Sequence, residues 1–189
     1  MSTLARAAAL FALVLCTACA GTRTTPFPSA DVPNMAPPPY TAEQIRDSHP
    51  DGAYFVTETL GPDGEVVARV RTEFFDPDAT SVSIRVVGLG ANGEEEGADA
   101  PGVRVDWPTL RSHAYFPAAG TRLEHTTVTV PVGTFDCWSY RVIGRTADGL
   151  PEETVFHFAV DRPGPPVLLI QSVDGVEVAR MRMVEDGRP

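Results

Sequence analysis

The sequence predicts a mainly β fold, an antiparallel meander sheet with one or two short helices. Three observations carry this reading. From Tyr54 onward, segments alternate apolar and polar residues with a period of two. Asp-Gly and Pro-Asp-Gly turns separate those segments. Helix-start chemistry occurs at only two short stretches, near residues 42–47 and 107–114.

The folded part is expected to be one domain, residues 40–189, since about 150 residues suit a single core. Thr41 followed by Gln44 forms a capping box for a helix over residues 42–47, which Pro50 and Gly52 keep short. From Glu65 to Phe74, Val66, Ala68, Val70, Thr72 and Phe74 fall on one face and Glu65, Arg69, Arg71 and Glu73 on the other. From Thr80 to Val87, Val82, Ile84 and Val86 oppose Ser81, Ser83 and Arg85, again as a half-buried strand. Pro62-Asp63-Gly64 separates the first strands, and residues 88–93 turn the chain after the third.

Residues 94–102 form an acidic loop. Three consecutive Glu cannot all face one cation, and the alternating oxygen spacing of a calcium loop is absent, so a solvated loop is expected. Asp106 as N-cap and early Pro108 predict a second helix over residues 107–114, docked by Trp107 and Leu110. Beyond it, Pro131 and Gly133 shape a corner into a strand with Phe135, Cys137 and Ile143 on one face. Trp138, Tyr140 and Val142 take the other, so both faces should be at least partly covered. Ala147-Asp148-Gly149, and Asp174-Gly175 between Val173 and Val176, supply the later hairpins, and sequential neighbours should pair.

The N-terminus carries an address. Arg6 precedes an apolar run from Ala7 to Leu15, an n-region followed by an h-region. As a helix that run rises only about 14 Å, too short to span a bilayer core. Cys16, Thr17 and Ala18 before Cys19 resemble a bacterial lipobox, with Cys16 where Leu is usual. On this reading residues 1–18 are a lipoprotein signal peptide and Cys19 is the lipidated residue. Residues 19–39, rich in Thr and Pro, are a tether lifting the domain off a membrane. Ala18-Cys19-Ala20 also satisfies the small-x-small rule for cleavage into a soluble, secreted or periplasmic form, so that alternative stands. Ala20 after the acceptor favours the outer membrane in a host with two membranes. With Cys19 lipidated and Cys16 removed, Cys137 is the last thiol and no internal disulfide forms.

A net charge of −10, one unit more negative once Arg6 leaves with the leader, disfavours nucleic acid as a partner. The membrane contact expected is the lipid anchor.

The C-terminal third carries the most distinctive run: Val130-Pro131-Val132-Gly133-Thr134-Phe135-Asp136-Cys137, then Phe156-His157-Phe158-Ala159, then Pro163-Gly164-Pro165-Pro166-Val167 and a closing hairpin. This succession resembles exported bacterial β proteins of the TapB-like and domain-of-unknown-function type. The resemblance implies a half-barrel like that of the lipoprotein carriers LolA and LolB. It further implies an apolar ligand or lipid held in the curved sheet.

No catalytic residue, metal site or cofactor is expected. Cys137 sits in an apolar strand without a neighbouring base and reads as a small hydrophobe. His49, His113, His125 and His157 lack ligand spacing, and His125 and His157 read as sheet residues. Asp136, Glu152, Glu153 and Asp161 are the candidates for a paired-carboxylate hydrolase. Gly-x-Ser-x-Gly and phosphate-loop motifs are absent, and without Lys no Ser-x-x-Lys motif is possible. Met181 and Met183 suit either a greasy pocket or ordinary core. The expected function is therefore that of a noncatalytic envelope lipoprotein binding an apolar ligand. An interaction or assembly module is the alternative, and a carboxylate-dependent hydrolase the second alternative.

Overall fold

The computed structural model describes residue 27 and residues 29–96 and 101–188. The signal peptide, Cys16 and Cys19 lie outside the described residues. The fold is one open, ten-stranded antiparallel sheet with two six-residue helices. Helix α1 spans Ala42–Asp47, followed by strands β1 (Tyr54–Leu60), β2 (Val66–Phe75), β3 (Ser81–Leu89), β4 (Glu95–Glu96) and β5 (Val103–Asp106). Helix α2 (Trp107–Ser112) then leads to β6 (Thr121–Val130), β7 (Gly133–Arg145), β8 (Pro151–Ala159), β9 (Leu168–Val173) and β10 (Val176–Gly187).

Both helices begin as their sequences dictate. The Thr41 hydroxyl accepts from the Gln44 N–H at 3.2 Å, and the Gln44 carboxamide accepts from the Thr41 N–H at 2.8 Å. Asp106 accepts from the Thr109 N–H at 2.6 Å, Pro108 sits in the first turn, and buried Trp107 donates its indole N–H to the Asp78 carbonyl at 3.0 Å. The Asp174-Gly175 hairpin has positive φ at both residues, 50° and 79°, the pairing that a two-residue hairpin turn matched to strand twist requires.

Sequential pairing holds within two separate meanders. One is β1 to β3, edged by β4 and β5; the other is β6 to β10. What joins them is a long-range pair, β1 against β10, in register from Tyr54 opposite Gly187 to Leu60 opposite Arg180. Strand β6 returns close to β10, so the sheet curls.

Two apolar clusters result. The larger packs Trp138, Tyr140 and Phe158 with Phe74, Val82, Trp107 and Phe116 beneath the helices. Its rings meet at inclined angles, with Tyr140 perpendicular to Phe158 at a centroid distance of 5.5 Å. The second gathers Val128, Val130, Phe135, Cys137, Val167 and Met183 inside the curl. Both faces of β7 are therefore covered from Cys137 to Tyr140, but Ile143 is 51% exposed, because the strand's far end projects beyond the cover. Val86 is likewise exposed while Val82 is fully buried, since α2 is anchored over the Val82 end of β3.

The charged residues of β2 cover the opposite face. Glu58 pairs with Arg182 at 2.9 Å, Arg69 with Glu185 at 2.8 Å and Arg71 with Glu73 at 3.0 Å. Register places Val56, Arg71 and Val87 side by side across β1, β2 and β3, and both valines are only 1% exposed. The Arg71 stem shields these valines, and its guanidinium lies 4.3 Å from the centre of the Tyr54 ring.

The tether reading of residues 19–39 needs correcting at its end. Ala36, Pro38 and Pro39 are buried, the Ala36 N–H donates to the Phe116 carbonyl at 2.8 Å, and the Tyr140 hydroxyl donates to the Pro37 carbonyl at 2.7 Å. Proline brings no N–H that burial would orphan, so a Pro-rich stretch can lie in a core with few partners. The acidic loop also begins as structure: Glu95 and Glu96 form β4 against β3, and residues 97–100 lie outside the described residues.

Candidate functional site

Between the helices and the sheet lies a cavity of about 320 Å³. Phe55, Phe74 and Ile84 line it from the first meander, and Phe156 and Phe158 from the second. These strands lie on either side of β9 and β10 in the sheet, so only a curved sheet brings them to one space. Ile45 of α1, Leu110 of α2, Ala114 just beyond it and the Gly164-Pro165-Pro166 crossing close the other side. The lining is predominantly apolar with few polar groups, the usual character of a small-molecule site, and the volume is at the small end of that range.

Among the polar groups on the lining, Arg111 is already engaged, its Nε donating to the Tyr40 carbonyl at 3.1 Å and its guanidinium pairing with Asp31. His49 is 3% exposed, held by the turn that follows α1, with its ring 4.3 Å from that of Phe74. Its Nδ1 donates to the Ile45 carbonyl at 2.7 Å. Burial lowers the His49 pKa most; the Ile45 hydrogen bond opposes this, nearby Arg188 adds to it, and Asp186 opposes it. An unfolded histidine titrates near 6.5. The unfolded chain therefore binds the proton first, so stability is full above that pH and declines as pH falls below it. His157, also shifted downward by burial and then by Arg141, acts in the same direction. Replacing His49 by Phe should flatten part of the loss between pH 7.5 and 5.5, read from urea midpoints; an unchanged slope would show that the ring is not held neutral.

The residues singled out from sequence lie mainly elsewhere. Cys137 is fully buried, its thiol donates to the Phe135 carbonyl at 3.6 Å, and burial together with Asp136 and Asp161 pushes its pKa up to about 12. Such a thiol is packing material. Met183 belongs to the second core cluster, and neither it nor Met181 lines the cavity. The four carboxylates Asp136, Glu152, Glu153 and Asp161 are not on the cavity lining either. Asp136 accepts from the Thr127 hydroxyl at 3.1 Å, Glu152 from Gln171 at 2.5 Å, and Glu153 pairs with Arg141. Among the described residues no three His, Cys, Asp or Glu side chains converge as a metal set. No helix among them is long and apolar enough to cross a membrane.

Two features escaped the sequence. One is His49 itself, which stands alone without ligand spacing; its signal was its place between a capped helix and Pro50. The other is a cross-strand polar chain in which Ser139 Oγ lies 2.7 Å from His157 Nδ1 and 2.5 Å from Thr126 Oγ1. It superficially matches a nucleophile and base. Among the described residues, however, no carboxylate is hydrogen-bonded to His157, and Ser139 is only 4% exposed, within β7. These are cross-strand partners satisfying one another.

Fold and cavity together define an open, curled antiparallel sheet roofed by short helices around an apolar space. No protein-family model matches the chain, and no curated protein matches it. Among solved structures the chain is similar to a candidate lipoprotein from Parabacteroides distasonis, with a TM-score of 0.50 and 9% identity over 74% of this chain and 96% of that one. It is also similar to a candidate exported protein with a YmcC-like fold from Bacteroides fragilis, with a TM-score of 0.48 and 10% identity over 74% of this chain and 97% of that one. At 9% identity the likeness to the first of these is one of fold alone.

Proposed function

We propose that this chain is an exported, lipid-anchored envelope protein that holds a small apolar ligand between its curved sheet and its helices. The observation that carries the ligand reading is the cavity of about 320 Å³, bounded by Phe55, Phe74, Phe156 and Phe158. The n-region, h-region and Cys19 support the address, and the resemblance to lipoprotein carriers agrees with a greasy cargo. In this reading the protein binds and releases its ligand without chemistry. The cavity excludes water and the acidic surface keeps the domain soluble beside a membrane.

Mass spectrometry of the native, full-length protein tests both halves at once. An acylated Cys19 at the mature N-terminus and an apolar molecule travelling with the domain are expected. Cys19→Ala should move the protein from the membrane to the soluble fraction. Retention on the membrane would sink the anchor, and native protein that neither carries nor takes up any apolar molecule would sink the ligand.

A further inference from the structure

His49 is 97% removed from solvent on the cavity wall, yet its Nε2 makes no hydrogen bond within the described residues. A buried polar atom without a partner is costly and uncommon, so an unpaired one on the wall of a cavity asks what it meets there. The other nitrogen settles its character. Nδ1 lies 2.7 Å from the Ile45 carbonyl, which can only accept, so Nδ1 carries the proton and Nε2 of the neutral ring presents a lone pair.

The backbone beside that lone pair is a glycine. Gly164, also on the cavity wall, adopts φ 155°, and a Cβ there would stand 3.2 Å from His49 Nε2 and 3.1 Å from its Cε1. Any larger residue would crowd the nitrogen, and an Arg188 guanidinium nitrogen would lie 3.7 Å from the same Cβ. We infer that the cavity's ligand is an apolar molecule bearing one hydroxyl group, and that this hydroxyl donates to His49 Nε2 while the rest of the molecule packs against the phenylalanine rings.

The cavity's chemistry selects against the neighbouring ligand classes. A pure hydrocarbon would leave Nε2 buried and unpaired. A fatty-acid carboxylate brings acceptors but no donor, and would place a lone pair against a lone pair. The Arg111 guanidinium on the wall is already committed to Asp31, and the Arg188 guanidinium beside Gly164 is committed to Asp186. The volume equals about ten water-sized spaces at about 30 Å³ each, enough for a medium alkyl chain or a small ring system with its hydroxyl.

This inference rests on the ligand reading of the same cavity, and isomeric probes separate the two. 1-Octanol and 1-methoxyheptane have the same atoms, but only the alcohol carries a donor; octanoate supplies the carboxylate. Binding to the full-length protein is measured by displacement of an apolar fluorophore, alongside the ¹⁵N resonance of His49 Nε2. The expected result is about tenfold tighter binding of 1-octanol than of 1-methoxyheptane, with octanoate weaker than both, as one net hydrogen bond would give. His49→Phe should bring the two isomers to equal affinity. Because that variant also loses the Ile45 contact, the wild-type resonance is the independent readout: it should move with 1-octanol and stay in place with 1-methoxyheptane. Equal affinity of the isomers, or an unmoved resonance, overturns the hydroxyl assignment while leaving an apolar site intact. Failure of both isomers to bind overturns the site itself.

Discussion

Replacing Tyr140 should produce one of the largest losses of stability open to a single substitution in this chain. Tyr140 is fully buried, its ring contacts Phe116 at 5.4 Å and Phe158 at 5.5 Å, and its hydroxyl holds the Pro37 carbonyl at 2.7 Å. Tyr140→Phe keeps the ring and orphans the carbonyl, for an expected loss of about 1–3 kcal/mol. Tyr140→Ala adds the cavity left by the ring, for about 3–5 kcal/mol. A domain of this size has only about 5–15 kcal/mol to lose, so the alanine variant should approach the limit of folding. Urea unfolding gives both numbers, and amide exchange should be faster at Met35 and Ala36 in the Phe variant. If Tyr140→Phe proves as stable as the parent, the docking of that segment does not depend on this hydrogen bond.

The second large effect concerns binding. Ala114 is half-buried on the cavity wall just beyond α2. Ala114→Trp places an indole in the space between Phe74 and Phe156, so affinity for an apolar probe should fall at least about a hundredfold, equivalent to about 2.7 kcal/mol. Because the ring enters existing space, stability should stay within about 1 kcal/mol of the parent. Probe titration beside thermal unfolding separates the outcomes. Unaltered affinity in a folded variant would place the ligand elsewhere.

Local features were the ones legible in sequence. The capping box at Thr41 and Gln44, the Asp106 cap and the Asp174-Gly175 turn depend on residues a few positions apart, and each forms as its chemistry dictates. Period-two alternation located the strands, but not how far cover extends along them. Ile143 and Val86 continue an apolar pattern into solvent because the roof is shorter than the strands. The burial of Ala36, Pro38 and Pro39 was hidden by composition: proline reads as spacer material, and the partners of this segment are as distant as Tyr140 and Phe116. The cavity was hidden for the same reason. Its walls come from β1 to β3, β8, both helical segments and the Gly164 crossing, and no local pattern records that they meet. His49 has no spacing motif, since its shortest side-chain hydrogen bond runs to its own helix and its Nε2 has no hydrogen-bond partner among the described residues.

The pairing of β1 with β10 also governs when the protein can finish folding. Tyr54 waits for Gly187, and Leu60 waits for Arg180, so the middle of the sheet cannot be completed until nearly all of the chain is present. Contacts so distant in sequence slow folding. For a polypeptide that the proposed leader sends through a narrow membrane channel, this delay is useful: each meander lacks its central neighbour until the last strand arrives. A chain exported in that way would stay threadable during passage and lock only on the far side.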